Sequence, residues 1–243
     1  GDRMEMVDPD AIHASRDALR AAVGAALAEE LAAAQAAGAP GSDLSSAAKG
    51  VRRLKGVALA LIAAGDPARG ASLAKAQYDA ADNMTDRQGA LAVLTMLDGP
   101  ERISALGDFY DRYRGDALVI DKWFALQAGA PRGDTIGTVE ALLGHGDFTM
   151  KNPNRLRALA GSFAGNQWVF HGQAGRGYRL LGDLIVQADA INPQVAARLV
   201  PPLGRWRRFE PGRAAMMRAE LERIVATPGV SKDVFEQASK SLA

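Results

Sequence analysis

Residues Ser46 to Ala81 read SAAKGVRRLKGVALALIAAGDPARGASLAKAQYDAA. Ser46 to Ala64 is predicted to be one helix, Gly65-Asp66-Pro67 a stop followed at once by a restart, and Pro67 to Ala81 the next helix. Glycine closes a helix without a Cβ penalty. Proline suits the first position of the next one, where its missing N–H has no partner to lose. So short a connection folds the chain back on itself, and the unit predicted is an antiparallel helix pair.

The same grammar extends in both directions. Upstream, Asp8-Pro9 opens a segment, Ala11 to Ala37, in which Ile12, Leu19, Val23, Leu27 and Leu31 are spaced by four or seven. A Gly-, Pro- and Ser-rich connector, Gly38 to Ser46, follows. Downstream, Thr85-Asp86-Arg87-Gln88 reads as a capping box ahead of Ala90 to Leu97, and Gly99-Pro100 separates it from Glu101 to Tyr113. Helical segments recur at Asp116 to Ala128, Thr135 to Leu143, Tyr178 to Ala188, Pro193 to Leu199, Gly212 to Thr227 and Ser231 to Leu242. Gln167 to Phe170 alone reads as extended, leading into a glycine-rich loop. About a dozen helices on short loops predict an all-α fold, a superhelical array of antiparallel helix pairs of HEAT/armadillo type, with residues 1–243 as a single domain. No crisp repeat emerges, so the array is degenerate.

Composition narrows the function. Hydrophobic residues make up 48% of the chain and aromatics only 6%, so alanine carries much of the apolar content and the helices must approach closely. The net charge of +1, from 29 basic and 28 acidic residues, gives no global field for nucleic acid or membrane. The absence of cysteine excludes disulfides, Cys-based zinc sites and thiol catalysis, and suits a cytoplasmic protein. The longest apolar run, Val57 to Ala64, is too short to span a bilayer, and the first residues hold no signal-peptide core.

Catalytic signatures are missing. His13, His145 and His171 form no His-Glu-x-x-His pattern, and there is no Gly-x-Ser-x-Gly elbow. The loop His171 to Tyr178, HGQAGRGY, lacks the Lys-Ser/Thr of a phosphate-binding loop and has its glycines in the wrong order for a dinucleotide site. Arg205-Trp206-Arg207-Arg208-Phe209 interleaves cations and rings as single-strand binders do, but equally suits arginines at a helix end. Asp108, Asp111, Asp116 and Asp121, among Arg112, Arg114 and Lys122, read as a solvated, salt-bridged face.

Two stretches stand apart. Asn152-Pro153-Asn154 is followed by Arg155 and Arg157 at a helix start, where the dipole disfavours cations. Asn192-Pro193-Gln194 followed by Arg198 repeats the pattern, and Gln194 and Arg198, four apart, share one face. An amide and guanidinium groups together suit a peptide backbone or carboxylate.

Several strings together resemble one family. They are Asn83-Met84-Thr85-Asp86, Asp121-Lys122-Trp123-Phe124, Phe148-Thr149-Met150 through Asn152-Pro153-Asn154-Arg155, Phe163-Ala164-Gly165, Phe170-His171, Gly175 to Tyr178, and Asn192-Pro193-Gln194-Val195-Ala196. Their order and spacing resemble the C-terminal helical domain of bacterial aminopeptidase N, the alanyl aminopeptidase of the zinc metallopeptidases. The resemblance implies a lid that closes over a catalytic domain and encloses the chamber where N-terminal residues are cut from peptides. It implies one zinc ion in the parent's catalytic domain, and no cofactor, metal or catalytic residue in this chain, which would be a fragment with no activity alone. By position, Gln194 matches a residue at the pocket for the substrate's first side chain. Arg157 and Arg198 match arginines that face the peptide beyond the scissile bond. Arg155 points to another side of its helix and reads as structural. The implied partners are the chain's own catalytic domain and peptide substrates, with no nucleic acid or membrane. The alternative is a free-standing helical scaffold that binds a protein partner.

Overall fold

The computed structural model describes residues 4–38, 41–172 and 174–243. Ala39 and Pro40 of the expected connector, and Gln173 of the glycine loop, lie outside the described residues. The chain divides into two compact units, one of His13–Asp116 and one of Gly1–Ile12 with Ala117–Ala243. Both are built from helices, and among the described residues extended pairing is confined to an isolated bridge between Val7 and Phe209. The all-α helical array expected from the sequence is therefore present.

The unit His13–Asp116 holds most of α1 (Pro9–Ala26), then α2 (Ala28–Ala36), α3 (Ser46–Gly65), α4 (Pro67–Ala80), α5 (Met84–Leu94) and α6 (Pro100–Tyr113). The stop and restart at Gly65-Asp66-Pro67 is as read: Asp66 accepts from the Arg69 N–H at 3.0 Å and Pro67 takes the first helical position. Helix α3 packs on α2, α4 and α5. Alanine makes the contact surface, with Ala58, Ala74, Ala90 and Ala105 wholly buried beside Leu59, Leu91, Leu94 and Phe109. Glycines bring the backbones together. A Cβ added at Gly70 would lie 2.3 Å from the Cα of Ala63, and one at Gly65 would lie 2.6 Å from the carbonyl carbon of Gly24.

Three local expectations are corrected. The segment Ala11 to Ala37 breaks at Leu27 into α1 and α2, and Leu19 and Leu27 of its apolar stripe remain exposed. Asn83, not Thr85, caps α5, accepting from the Asp86 N–H at 2.9 Å; asparagine is at least as good a cap as threonine and comes two residues earlier. Gln167–Phe170 is a helical turn rather than extended chain, because its β-favouring residues face a packed helical core instead of a strand partner.

The second unit contains α7 (Ala117–Ala128), α8 (Thr135–Leu143), α9 (Pro153–Leu156), a π-helical turn at Arg157–Gly161, α10 (Ser162–Gly165), α11 (Gln167–Phe170), α12 (Arg176–Asp189), α13 (Pro193–Ala197), α14 (Pro201–Gly204), a 3₁₀ turn at Trp206–Arg208, α15 (Pro211–Val225) and α16 (Lys232–Leu242). Its core concentrates the few aromatics: Phe170 meets Phe163 at 5.8 Å and Tyr178 at 5.3 Å, both edge-to-face. Asp189, at the end of α12, accepts from the Ser231 N–H at 2.7 Å and from its hydroxyl, tying the start of α16 to α12.

Two glycines of one helical unit separate backbone contact from helix propensity. Gly70→Ala must push α3 and α4 apart and is expected to lower stability by about 1–3 kcal/mol. Gly56→Ala, in α3 with open space around it, is expected to raise stability by about 0.5–1 kcal/mol. Urea unfolding of both variants checks the pair of signs.

Candidate functional site

The two Asn-Pro stretches are built alike. Asn152 accepts from the N–H groups of Asn154 and Arg155 at 3.0 and 3.3 Å, and Asn192 accepts from Val195 at 3.2 Å, each with proline at the first helical position. Each cap starts a helix of one turn or slightly more, α9 and α13. Beyond these turns the chain delivers Arg157 and Arg198 to the wall of one pocket of about 360 Å³.

The arginines of the first stretch part company. Arg155 is 5% exposed. It forms an ion pair with Asp121, donates to the carbonyl oxygens of Asp147 and Ala117, and lies 4.8 Å over the Phe124 ring. The anion suggested by a cation at this helix start is, for Arg155, a carboxylate of the same chain. Asp121 is accordingly not part of a solvated acidic face, whereas Asp108 does pair with Arg112 there, at 2.6 Å. Arg157 is exposed, and among the described residues its hydrogen-bond partner is Asn154, at 3.2 Å. It opens the π turn, whose last residue, Gly161, lines the same pocket; a Cβ at Gly161 would stand 3.3 Å from the Arg157 Cγ.

Arg205 is the third cation of the pocket, and Ala164, Val195, Leu199, Pro201 and Pro202 supply apolar wall. Among the described residues no carboxylate lines it. Three guanidinium groups share this concavity, a lining whose positive charge favours anions over cations. Gln194 is exposed and lines a neighbouring cavity of about 370 Å³ together with Arg198, Asp233, Glu236, Gln237 and Lys240. Arg198 thus borders both spaces, whereas Gln194 and Arg157 line different ones.

His171 also lines the arginine pocket, although it is only 3% exposed. Its ring packs against Phe209 at 4.1 Å and Phe170 at 4.9 Å, and its Nδ1 is 3.0 Å from the Tyr178 hydroxyl. Burial, reinforced by the positive charges of Arg213 and Arg205, pushes its pKa down to about 4, so the ring is neutral at physiological pH. Arg213 donates to the His171 carbonyl at 2.7 Å and pairs with Asp10, anchoring the chain's first turn to α15.

Sequence reading overlooked Arg205 and His171 as pocket residues. Arg205 was grouped with the Arg-Trp-Arg-Arg run, yet its neighbours do other work. Trp206 and Arg207 donate to the Ser241 carbonyl at 3.0 and 3.4 Å, and Arg207 reaches that of Leu242 at 2.8 Å, closing the end of α16. The nucleic-acid-like motif is largely a helix cap. Gly175, with φ of 66°, starts α12 from the left-handed region, which accounts for one glycine of the loop. Among the described residues no three His, Asp or Glu side chains come together as a group that could hold a metal ion. None of its described helices is long and apolar enough to cross a membrane.

The whole chain, residues 1–243, matches the family described as "Domain of unknown function (DUF3458_C) ARM repeats". The chain belongs to this family of ARM-repeat domains. Aminopeptidase N of Caulobacter vibrioides is 43% identical over 241 residues, which are 98% of this chain and 28% of the relative. Aminopeptidase N of Escherichia coli is 37% identical, again over 98% of this chain and 28% of its own length. Aminopeptidase N of Haemophilus influenzae is 44% identical over 71% of this chain and 20% of its own. A crystal structure of Legionella pneumophila aminopeptidase A in complex with aspartic acid superposes with a TM-score of 0.89 at 31% identity, over 99% of this chain and 29% of that one. The resemblance to aminopeptidase N is borne out, and the chain spans a little over a quarter of the length of the relatives it matches most fully.

Two measurements test this geometry. Asp121→Ala leaves the buried Arg155 without its counter-charge and is expected to cost about 3–5 kcal/mol, whereas Arg157→Ala is expected to stay within about 0.5 kcal/mol; urea unfolding compares them. The unfolded chain protonates its histidine near 6.5 and the folded one holds His171 neutral to about 4, so stability from this group falls as pH drops between those values. The loss expected is about 3 kcal/mol. His171→Gln, less stable at neutral pH, is expected to show a shallower decline from pH 7 to 4 in the same assay.

Proposed function

We propose that this chain is the C-terminal lid domain of a zinc aminopeptidase that removes N-terminal residues from peptides in the cytoplasm. In this reading it packs on its own catalytic domain, encloses the active-site chamber and contributes substrate contacts without a catalytic centre of its own. The observation that carries the reading is the pocket on which Arg157, Arg198 and Arg205 converge with no carboxylate among its described lining residues. Its support is the identity to three aminopeptidases N over most of this chain.

The chemistry assigned to each residue is recognition. Arg157 and Arg198 hold the downstream part of the peptide, where a guanidinium fork matches a carboxylate or carbonyl oxygens and, once desolvated, does so with strong directional preference. Gln194, in the adjoining cavity, offers one amide donor pair and one acceptor toward the first residue of the peptide. Arg198, bordering both cavities, would link the two sets of contacts. The Legionella relative is described as a complex with aspartic acid, a ligand of the same carboxylate chemistry. The zinc ion belongs to the parent's catalytic domain, where it would supply the activated water and polarise the scissile carbonyl.

In the full-length parent, Arg198→Ala is expected to lower kcat/KM for a tripeptide by about tenfold or more, the scale of losing one partner of a charged pair, and to leave an aminoacyl anilide within about twofold. The anilide has no downstream carboxylate. Equal losses on both substrates would remove the carboxylate role of Arg198. The isolated chain is expected to hydrolyse neither substrate, and turnover abolished by substitutions in this chain would overturn its assignment as non-catalytic.

A further inference from the structure

Besides Arg157 and Arg198 the pocket is lined by two groups to which neither the Asn-Pro stretches nor the family resemblance gave a role, Arg205 and His171. The state of His171 can be worked out from its neighbour. Tyr178 is wholly buried, and its hydroxyl has one partner among the described residues, the Nδ1 of His171 at 3.0 Å. Burial raises the Tyr178 pKa, so the phenol keeps its proton. If Nδ1 also carried a proton, the phenolic O–H would be left without an acceptor in the core, at about 1–3 kcal/mol. The favoured arrangement has Tyr178 donating to Nδ1 and the imidazole proton on Nε2. That Nε2–H has no acceptor among the described residues. The space His171 opens onto is the arginine pocket.

We infer that Arg205 and the Nε2–H of His171 form a carboxylate seat in this pocket, with Tyr178 as the positioning residue that keeps the proton on Nε2. For its ligand the inference rests on the proposed substrate-facing role of the pocket. The chemistry is a carboxylate carried on a small apolar or peptidic body. The walls beside the cations are alanine, valine, leucine and proline, which would meet a methyl group or a peptide plane better than a bare hydrated ion. A neutral imidazole N–H adds a directed donor without a fourth positive charge beside the three arginines. The carboxylate has two sources: the terminus of a peptide, or an aspartate or glutamate side chain.

The test uses this chain labelled with ¹⁵N at histidine, at pH 7, titrated with alanyl-alanine, with alanyl-alanine amide, and with N-acetyl-aspartyl amide. The unliganded His171 ring is expected to show the Nε2-protonated pattern of ¹⁵N shifts. Alanyl-alanine is expected to move the Nε2 resonance saturably and its amide to leave it unmoved. A matching response to N-acetyl-aspartyl amide assigns the seat to side-chain carboxylates as well, and no response to it restricts the seat to peptide termini. Arg205→Gln, an exposed position whose fold is verified by its backbone amide spectrum, is expected to weaken the alanyl-alanine response at least tenfold. Tyr178→Phe is expected to shift the His171 ring toward the Nδ1-protonated form and to weaken binding several-fold; a merely structural tyrosine would leave the tautomer unchanged. An Nδ1-protonated ring in the native chain, equal responses to acid and amide, or an unaltered affinity in Arg205→Gln would each overturn the seat. The last result, with binding lost in Arg157→Ala or Arg198→Ala, would overturn the seat and leave the proposed function standing. A normal titration here, with no peptide-selective effect of Arg198→Ala in the parent, would do the reverse.

Discussion

A chain whose apolar content rests largely on alanine can bury enough surface only if its helices touch backbone to backbone. In the unit His13–Asp116 that constraint is met at two crossings, Gly70 against Ala63 and Gly65 against Gly24, where a single methyl group would collide with main-chain atoms. Larger side chains would hold helices apart and leave the short alanine side chains without contact. The tight turns follow from this. A helix that must return within contact distance needs a stop, a cap and a restart in very few residues, as Gly65-Asp66-Pro67 provides.

The other unit relies on the same economy of turns and adds aromatic packing around Phe170 and Tyr178. Two of its short helices, α9 and α13, are each capped by an asparagine side chain, and a single turn has little stability of its own. That is why Asn152 and Asn192 matter to the pocket: each fixes the direction of a turn too brief to fix itself. The pairing of Arg155 with Asp121 serves the same end from beneath, clamping α9 to α7 while Arg157 stays open to solvent. Two arginines separated by one residue thus differ in chemistry because one is enclosed by carboxylate, carbonyls and a ring, and the other is not.

Helix type and turn chemistry were legible along most of the chain because periodicity, proline and glycine act locally. Gly65-Asp66-Pro67 was read correctly for that reason, as were the parallel Asn-Pro stretches. Errors arose where tertiary contact overrode a local preference. Gln167–Phe170 is β-favouring in composition and helical in the structure, and Thr85 yielded its capping role to Asn83 two residues upstream. Of the candidate site, Arg157, Arg198 and Gln194 stand out in the sequence, but nothing there signals that Gln194 lines a separate cavity. Arg205 was hidden by its companions, whose partners at the end of α16 lie 34 or more residues away. The proton position on His171 depends on Tyr178, seven residues on, and on a burial that no local pattern discloses.

The π turn at Arg157–Gly161 has a consequence for how this surface can vary. A π turn holds one residue more than an α-helical path through the same ends requires. Removing a residue between Leu156 and Leu159 would restore the regular register and swing Arg157 by about 100° relative to the buried side of the helix. Leu156 stands ahead of the π turn, whereas Arg157 and the core Leu159 lie within it. Insertions and deletions here act as a switch of direction, so a related chain of identical core could present a different side chain to the pocket by changing its length by one.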